Sequence, residues 1–456
     1  MADPTTASVK SRWHSRFEGR LITREDTDYD GFRRIWNGMI DRRPALIARC
    51  LTPHDVRTAV KLARAERLPV SVRGGGHGVA GNAVCDSGVM IDLSAMKHIR
   101  VDAQAGLAVA GPGVLWGEFD RATQAHGLAT TGGQVSHTGI AGLTLGGGFG
   151  YLMGKHGAVC DNLLSLDVVT ADGECVVASE DQNPDLFWAL RGAGGNFGIV
   201  TSFQYRVHPL SGVFAGMLLY PRDHTADVIA FHREFLKGSP DELDTTVGFL
   251  NSPDGVPLVA IVAVYAGGVA DGERVLKPLR RFGRPVADLI RPMSYVEVQS
   301  MLDAAVPVGR RYYWKSNFVA DLQEGFVAKL QDGANAMPSP LSMILLFELK
   351  GEIQRVPKGS MAFDHRDANF EMSIIAQWTE SAADNENTQW AREVWTAVQP
   401  YVSAAVYTNH MTADESIDRV RDGYGKGKYE KLAVLKAKYD PDNFFHLNHN
   451  IPPQMT

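Results

Sequence analysis

Cysteine is scarce in this chain: Cys50, Cys85, Cys160 and Cys175 are the four in 456 residues. None forms a CxxC pair or shares metal-ligand spacing with histidines, which excludes a disulfide framework and a zinc site and leaves reduced thiols with no metal expected. No apolar run approaches the length of a bilayer span, and Met1–Lys10 is polar where a secretory leader is apolar. A cytoplasmic protein without a membrane partner is expected. Neither charge is in excess, since 46 basic and 52 acidic residues are interspersed for a formal net charge of −6. Without a basic face, nucleic acid is not an expected partner, and small-molecule chemistry is what remains. A disordered or fibrous composition is absent too: 45% of residues are hydrophobic and 21% charged, and the length supports two domains.

Glycine, by contrast, is abundant and clustered. The run Val72-Arg73-Gly74-Gly75-Gly76-His77-Gly78 lies between a strand expected at Leu68–Val72 and another at Val89–Leu93. Three successive glycines let backbone approach a pyrophosphate and turn N–H groups inward as an anion nest. Arg73 adds positive charge beside it, and His77 stands where a ring nitrogen meets a cofactor edge. Before this loop, Thr52-Pro53 opens an amphipathic helix with apolar Val56, Val60, Leu62 and Ala63. After it, an alternating stretch at Leu107–Gly111 and a helix from Val114 to His126 continue a mixture of strands and helices to about Pro209.

Three more glycine clusters fall in this region, at Thr131–Gly133, Thr138–Gly150 and Arg191–Val200. For any single position a tight turn explains glycine as well as a cofactor does. As a set, Gly132, Gly133, Gly139, Gly142, Gly146, Gly147, Gly195 and Gly198 indicate a long ligand against the backbone. Beyond His208-Pro209-Leu210 glycine thins out. Strands are expected at Leu258–Tyr265 and Ser342–Leu349, with helices at Ala226–Leu236 and Lys428–Tyr439.

These motifs resemble the FAD-linked oxidases of the berberine-bridge-enzyme type, which share a PCMH-type flavin domain with the vanillyl-alcohol-oxidase superfamily. The resemblance rests on the RGGGH run, Gly132–Gly150, Asp161-Asn162-Leu163-Leu164, Asn183–Gly192, Gly194–Val200 and Tyr439-Asp440-Pro441. It implies an α+β fold: a PCMH-type FAD-binding domain over 1–212, then a substrate domain over 213–408 whose antiparallel sheet is covered by helices. A berberine-bridge-type segment over 409–456 returns to the first domain. It also implies FAD bonded covalently to His77. Around the cofactor it places Arg73, Gly74, Gly75, Gly76, Gly78, Gly132, Gly133, Ser136, Thr138, Gly139, Gly142, Gly146, Gly147, Asn162, Gly198, Ile199, Val200, Asn448 and Asn450. Many members attach FAD a second time through a cysteine. Val135 occupies that position here, so attachment through His77 only is expected, and Cys160 is read as an inert buried thiol.

The activity the resemblance implies is hydride transfer from a small-molecule alcohol to FAD, with O2 as acceptor and hydrogen peroxide as product. An amine oxidase, or a dehydrogenase with another acceptor, is the alternative. The pattern is more similar to bacterial amine and alcohol oxidases than to doubly anchored sugar oxidases, and a monomer or small homo-oligomer is expected. Thr138 falls at the position that gates oxygen in relatives, with plain packing as its other reading. In Tyr407-Thr408-Asn409-His410, His410 stands where relatives place a basic tyrosine, and an imidazole suits proton abstraction. A wall histidine without a catalytic part is the other reading, and Tyr407 is the second candidate base. Arg310–Lys315 and Phe370–Trp378 offer aromatic residues either to a pocket or to a sheet interior.

Overall fold

The computed structural model describes residues 4–454, so the outermost residues of the two expected terminal domains, 1–3 and 455–456, lie outside the described residues. Thr52 caps the helix Pro53–Glu66 by accepting from the Asp55 backbone N–H, and Pro53 occupies its first turn. The helix buries Val56, Val60, Leu62 and Ala63 against a four-stranded sheet. Its strand order is Arg20–Ile22, Leu46–Arg49, Val89–Asp92, Val70–Arg73, the last three parallel. The RGGGH loop therefore springs from the carboxyl end of an edge strand, beside its parallel neighbour.

A five-stranded antiparallel sheet follows, ordered Ile99–Asp102, Leu107–Ala110, Ile199–Arg206, Leu163–Val169, Cys175–Ser179. The third sheet has eight antiparallel strands, seven of them in the order Ala287–Asp288, Val213–Pro221, Pro257–Tyr265, Leu243–Asn251, Met343–Glu348, Phe370–Trp378, Arg311–Val319, with Arg291–Met293 alongside Val213–Pro221. Its side chains sort by strand alternation. Val247 and Phe249 face a core closed by helices Thr225–Leu236, Glu324–Asn335 and Asp384–Val398, while Thr246, Gly248 and Leu250 face a cavity. The antiparallel sheet under helices matches the sequence expectation. No described helix is long and apolar enough to cross a membrane.

The tail packs back on the glycine-rich half. Helix Lys426–Tyr439 lies against Pro184–Leu190, and fully buried Lys436 donates to Asn196 O at 2.6 Å, to Asp440 Oδ2 at 2.6 Å and to Phe445 O at 3.0 Å.

Helix Trp116–Gln124 meets helix Tyr295–Ser300 where the two halves join. There Gln299 Nε2 donates to Asp120 Oδ2 at 2.9 Å, and Asp120 Oδ1 has no partner. Burial raises the Asp120 carboxyl from 3.8 to about 7, with the Gln299 bond only partly opposing it. The folded state thus favours the protonated acid, and the stability it contributes is present below pH 3.8 and lost as pH rises through about 7. Asp120→Asn keeps the shape without the charge. Its unfolding free energy should exceed that of the parent by about 1–3 kcal/mol at pH 8 and match it at pH 4. Thermal melts at the two pH values check this, and an equal change at both counts against it.

Candidate functional site

The glycine loops, the cavity face of the eight-stranded sheet and the tail enclose one elongated cavity of about 960 Å³. Gly75 and Gly139 touch backbone to backbone: a Cβ on either would lie within about 2.6 Å of the other's Cα and N, so the two loops meet only as glycines. Added Cβ atoms at Gly78, Gly142, Gly194 and Gly195 meet nothing within 4 Å, so these backbones border open space in the cavity wall.

At one end His77 stacks on Trp36 with ring centroids 4.3 Å apart, and Trp36 stacks on Tyr312 at 3.7 Å. His77 Nε2 shares a hydrogen bond with His137 Nδ1 at 3.2 Å. Burial, then the neighbouring His137, pull His77 down to about 3, so its ring is neutral. At another point of the wall stands His410. Its Nδ1 is held by Glu371 Oε1 at 2.9 Å and Ser373 Oγ at 2.8 Å, and the Trp314 ring meets it edge-on at 4.9 Å. Glu371 is fully buried, and Ser373 Oγ also donates to it at 3.0 Å. His410 Nε2 has no partner among the described residues and is the nitrogen left to face the cavity.

The structure brings together most of the residues singled out in the sequence. Gly74, Gly75, Gly76, His77, Gly78, Gly133, Thr138, Gly139, Gly142, Gly146, Gly198, Ile199, Val200, Tyr407, His410 and Asn448 all line this cavity, as does Val135.

Six expected cofactor residues do not. Arg73 lies directly opposite Asp92 across the parallel strands and pairs with it, Nε to Oδ1 at 3.0 Å, with Phe32 O taking Nη1 at 2.6 Å. Its charge is spent behind the loop rather than offered to a phosphate. Ser136 is bound to Asp303 through both N–H and Oγ, at 2.8 and 2.5 Å. Asn162 Nδ2 donates to the carbonyls of His156 and Ala158 while His208 holds its Oδ1. Gly132 makes room for Trp116 and Gln299, and Gly147, at φ +115°, turns the chain against Phe363. Asn450 lies past the part of the tail, Leu447 to His449, that reaches the wall.

Tyr407 is corrected in role rather than place. Burial pushes its phenol up, and its oxygen accepts from Gly148 N at 2.9 Å and from Asn409 Nδ2 at 2.8 Å. It braces the glycine turn. Of the aromatic segments, Trp314 reaches the cavity, whereas Tyr313 turns to Asp414 and Phe370 and Trp378 join the helix-covered core. Cys160 is buried outside the wall, beside Met361 Sδ.

Glu371, Ser373, His137 and Trp36 escaped the sequence reading. Glu371 carried a signal: an acid inside the fully buried strand Phe370–Trp378 demands a partner.

Residues 44–179 match the model of an FAD binding domain, and residues 406–452 match one described as berberine and berberine like. An FAD-linked oxidoreductase of Dictyostelium discoideum is 33% identical over 442 residues, 96% of this chain and 95% of that protein. The (R)-6-hydroxynicotine oxidase of Paenarthrobacter nicotinovorans is 32% identical over 453 residues, covering 96% and 97%. The crystal structure of 6-hydroxy-D-nicotine oxidase from Arthrobacter nicotinovorans superposes with a TM-score of 0.89 at 31% identity, over 96% of this chain and 98% of that one.

Proposed function

Because the chain belongs to the berberine-bridge-like FAD-linked oxidoreductases, we propose that it oxidises a small-molecule alcohol, with O2 as final acceptor and hydrogen peroxide as product. The observation that carries this reading is His410 in the cavity wall, with its Nδ1 held by Glu371 buried behind the wall.

The wall fits FAD. The open glycine backbones at 78, 142, 194 and 195 are cradles that a Cβ would fill, and the buried Asn448 Oδ1 is an unpartnered polar atom in the same wall. When bound there, FAD supplies the hydride acceptor that no side chain can provide. Neutral His77 is the residue that anchors it covalently, and with Nε2 engaged by His137, Nδ1 is the nitrogen for the bond. Val135 at the cavity and Cys160 outside it support a single attachment.

His410 Nε2 takes the hydroxyl proton from oxygen as hydride leaves the carbon bearing that hydroxyl, while Glu371 and Ser373 hold the ring and the Glu371 carboxylate balances its gained charge. Trp314 and the apolar side chains around it keep water from the reacting carbon. No Asp or Glu is among the described residues of the wall, so a protonated amine finds no counter-charge there. That favours alcohols. The likeness to the nicotine oxidase keeps a neutral amine as the second reading. Anaerobic bleaching of the flavin, followed by peroxide release in air, across matched alcohols and amines tests the proposal. Bleaching by amines alone would replace it with the second reading, and slow reoxidation by air would make the enzyme a dehydrogenase.

His77→Ala should leave a protein that binds FAD but surrenders it to acid, with an intact mass equal to the bare polypeptide. FAD retained on the denatured variant would move the anchor elsewhere.

A further inference from the structure

Among the described residues the cavity wall contains one arginine, Arg310. Its guanidinium carries five N–H donors, yet its described side-chain bond is one contact from Nη1 to Ala305 O at 3.4 Å, and no carboxylate among the described residues pairs with it. Its neighbour Arg311 shows the usual arrangement, with Nε on Asp384 Oδ1 at 2.5 Å. The acid closest in sequence to Arg310, Asp303, is occupied by Ser136. Half-buried at a largely apolar cavity with no Asp or Glu among the described residues of its wall, the guanidinium has N–H donors left to take an anionic ligand.

We propose that Arg310 is a specificity-determining residue that binds a carboxylate on the substrate, so that the preferred substrate class is an elongated hydroxy acid. This rests on the oxidase reading of the same cavity and adds to it the substrate's second polar group. Arg310 lies just before the strand Arg311–Val319, and Trp314, the side chain against His410, is four residues further on. At about 3.3 Å per extended residue the two backbones stand up to about 13 Å apart. The acid group and the oxidised carbon are therefore held at separate points along the wall. The apolar wall between them suits a hydrocarbon or aromatic middle.

The test uses the flavin-loaded enzyme and three matched pairs of non-reacting ligands of increasing length: benzoate and benzamide, phenylacetate and phenylacetamide, 3-phenylpropionate and 3-phenylpropionamide. Binding is read from the change in the flavin absorption band at low and high salt. At least one carboxylate should bind about tenfold or more tightly than its amide, with the preference falling as salt rises. Arg310→Gln should abolish that preference, and Arg310→Lys should keep part of it, while both variants retain flavin and the parental melting temperature. Equal binding of acid and amide in every pair, or an unchanged preference in Arg310→Gln, overturns the proposal. Bleaching of the same enzyme by neutral alcohols, recorded alongside, separates that outcome from failure of the oxidase reading, in which no alcohol bleaches the flavin.

Discussion

His410→Phe should slow anaerobic flavin reduction by about 10²–10⁴-fold, the usual contribution of a positioned general base. The substitution preserves a planar ring of similar size against Trp314, so it removes proton transfer while disturbing packing little. Stopped-flow reduction with a substrate from the alcohol panel measures the effect. Glu371→Gln should cost less, because an amide oxygen still accepts from Nδ1 but no longer balances the charge His410 gains. Both variants should keep FAD on His77 and a parental melting temperature, which distinguishes lost chemistry from a damaged fold. Reduction at the parental rate in His410→Phe would take His410 out of the mechanism. Tyr407 would not inherit the part, since its raised phenol already accepts two hydrogen bonds.

The second large effect is expected far from the chemistry. Asp440→Ala strands the Lys436 ammonium, which is wholly buried and bound to Asp440 Oδ2, Asn196 O and Phe445 O. It also frees the backbone N–H groups of Phe444 and Phe445, which Asp440 accepts at 2.7 and 2.8 Å. Breaking one side of a buried pair costs about 3–5 kcal/mol, and denaturant unfolding should show a loss of that size. The double variant Lys436→Met with Asp440→Leu should recover part of it, because no charge remains without a partner. Leu447, Asn448 and His449 follow directly and line the cavity, so Asp440→Ala should also lower the FAD content of the purified protein. A loss below about 1 kcal/mol would mean that this pair does not dock the tail.

Much of the architecture was legible because it depends on local rules. Thr52-Pro53 announces a helix start, the 3.6-residue spacing of Val56, Val60 and Ala63 announces its buried face, and glycines at 74–76 and 139 announce backbone in close contact. Arg73, Ser136 and Asn162 lie off the cavity wall for the opposite reason. Each lies in or beside a cofactor motif, but a residue's neighbours in sequence do not say which way its side chain turns or what waits there. Arg73 turned to Asp92 because parallel pairing set the two in register, and Ser136 turned to an aspartate 167 residues away.

By itself, then, the sequence determined the α+β class and the glycine loops that line the cavity, and it singled out His77 and His410, which the proposal takes as anchor and base. These follow from residue type and short-range spacing, where steric freedom and chemical reactivity are intrinsic. Only the tertiary structure decided that His410 leans on Glu371 and that His77 lies against Trp36 and His137. It also decided that Arg310 faces the cavity without a counter-ion. The histidine pairings join residues 39 to 60 positions apart and depend on strand register and on which face of a sheet is covered, so no local pattern encodes them.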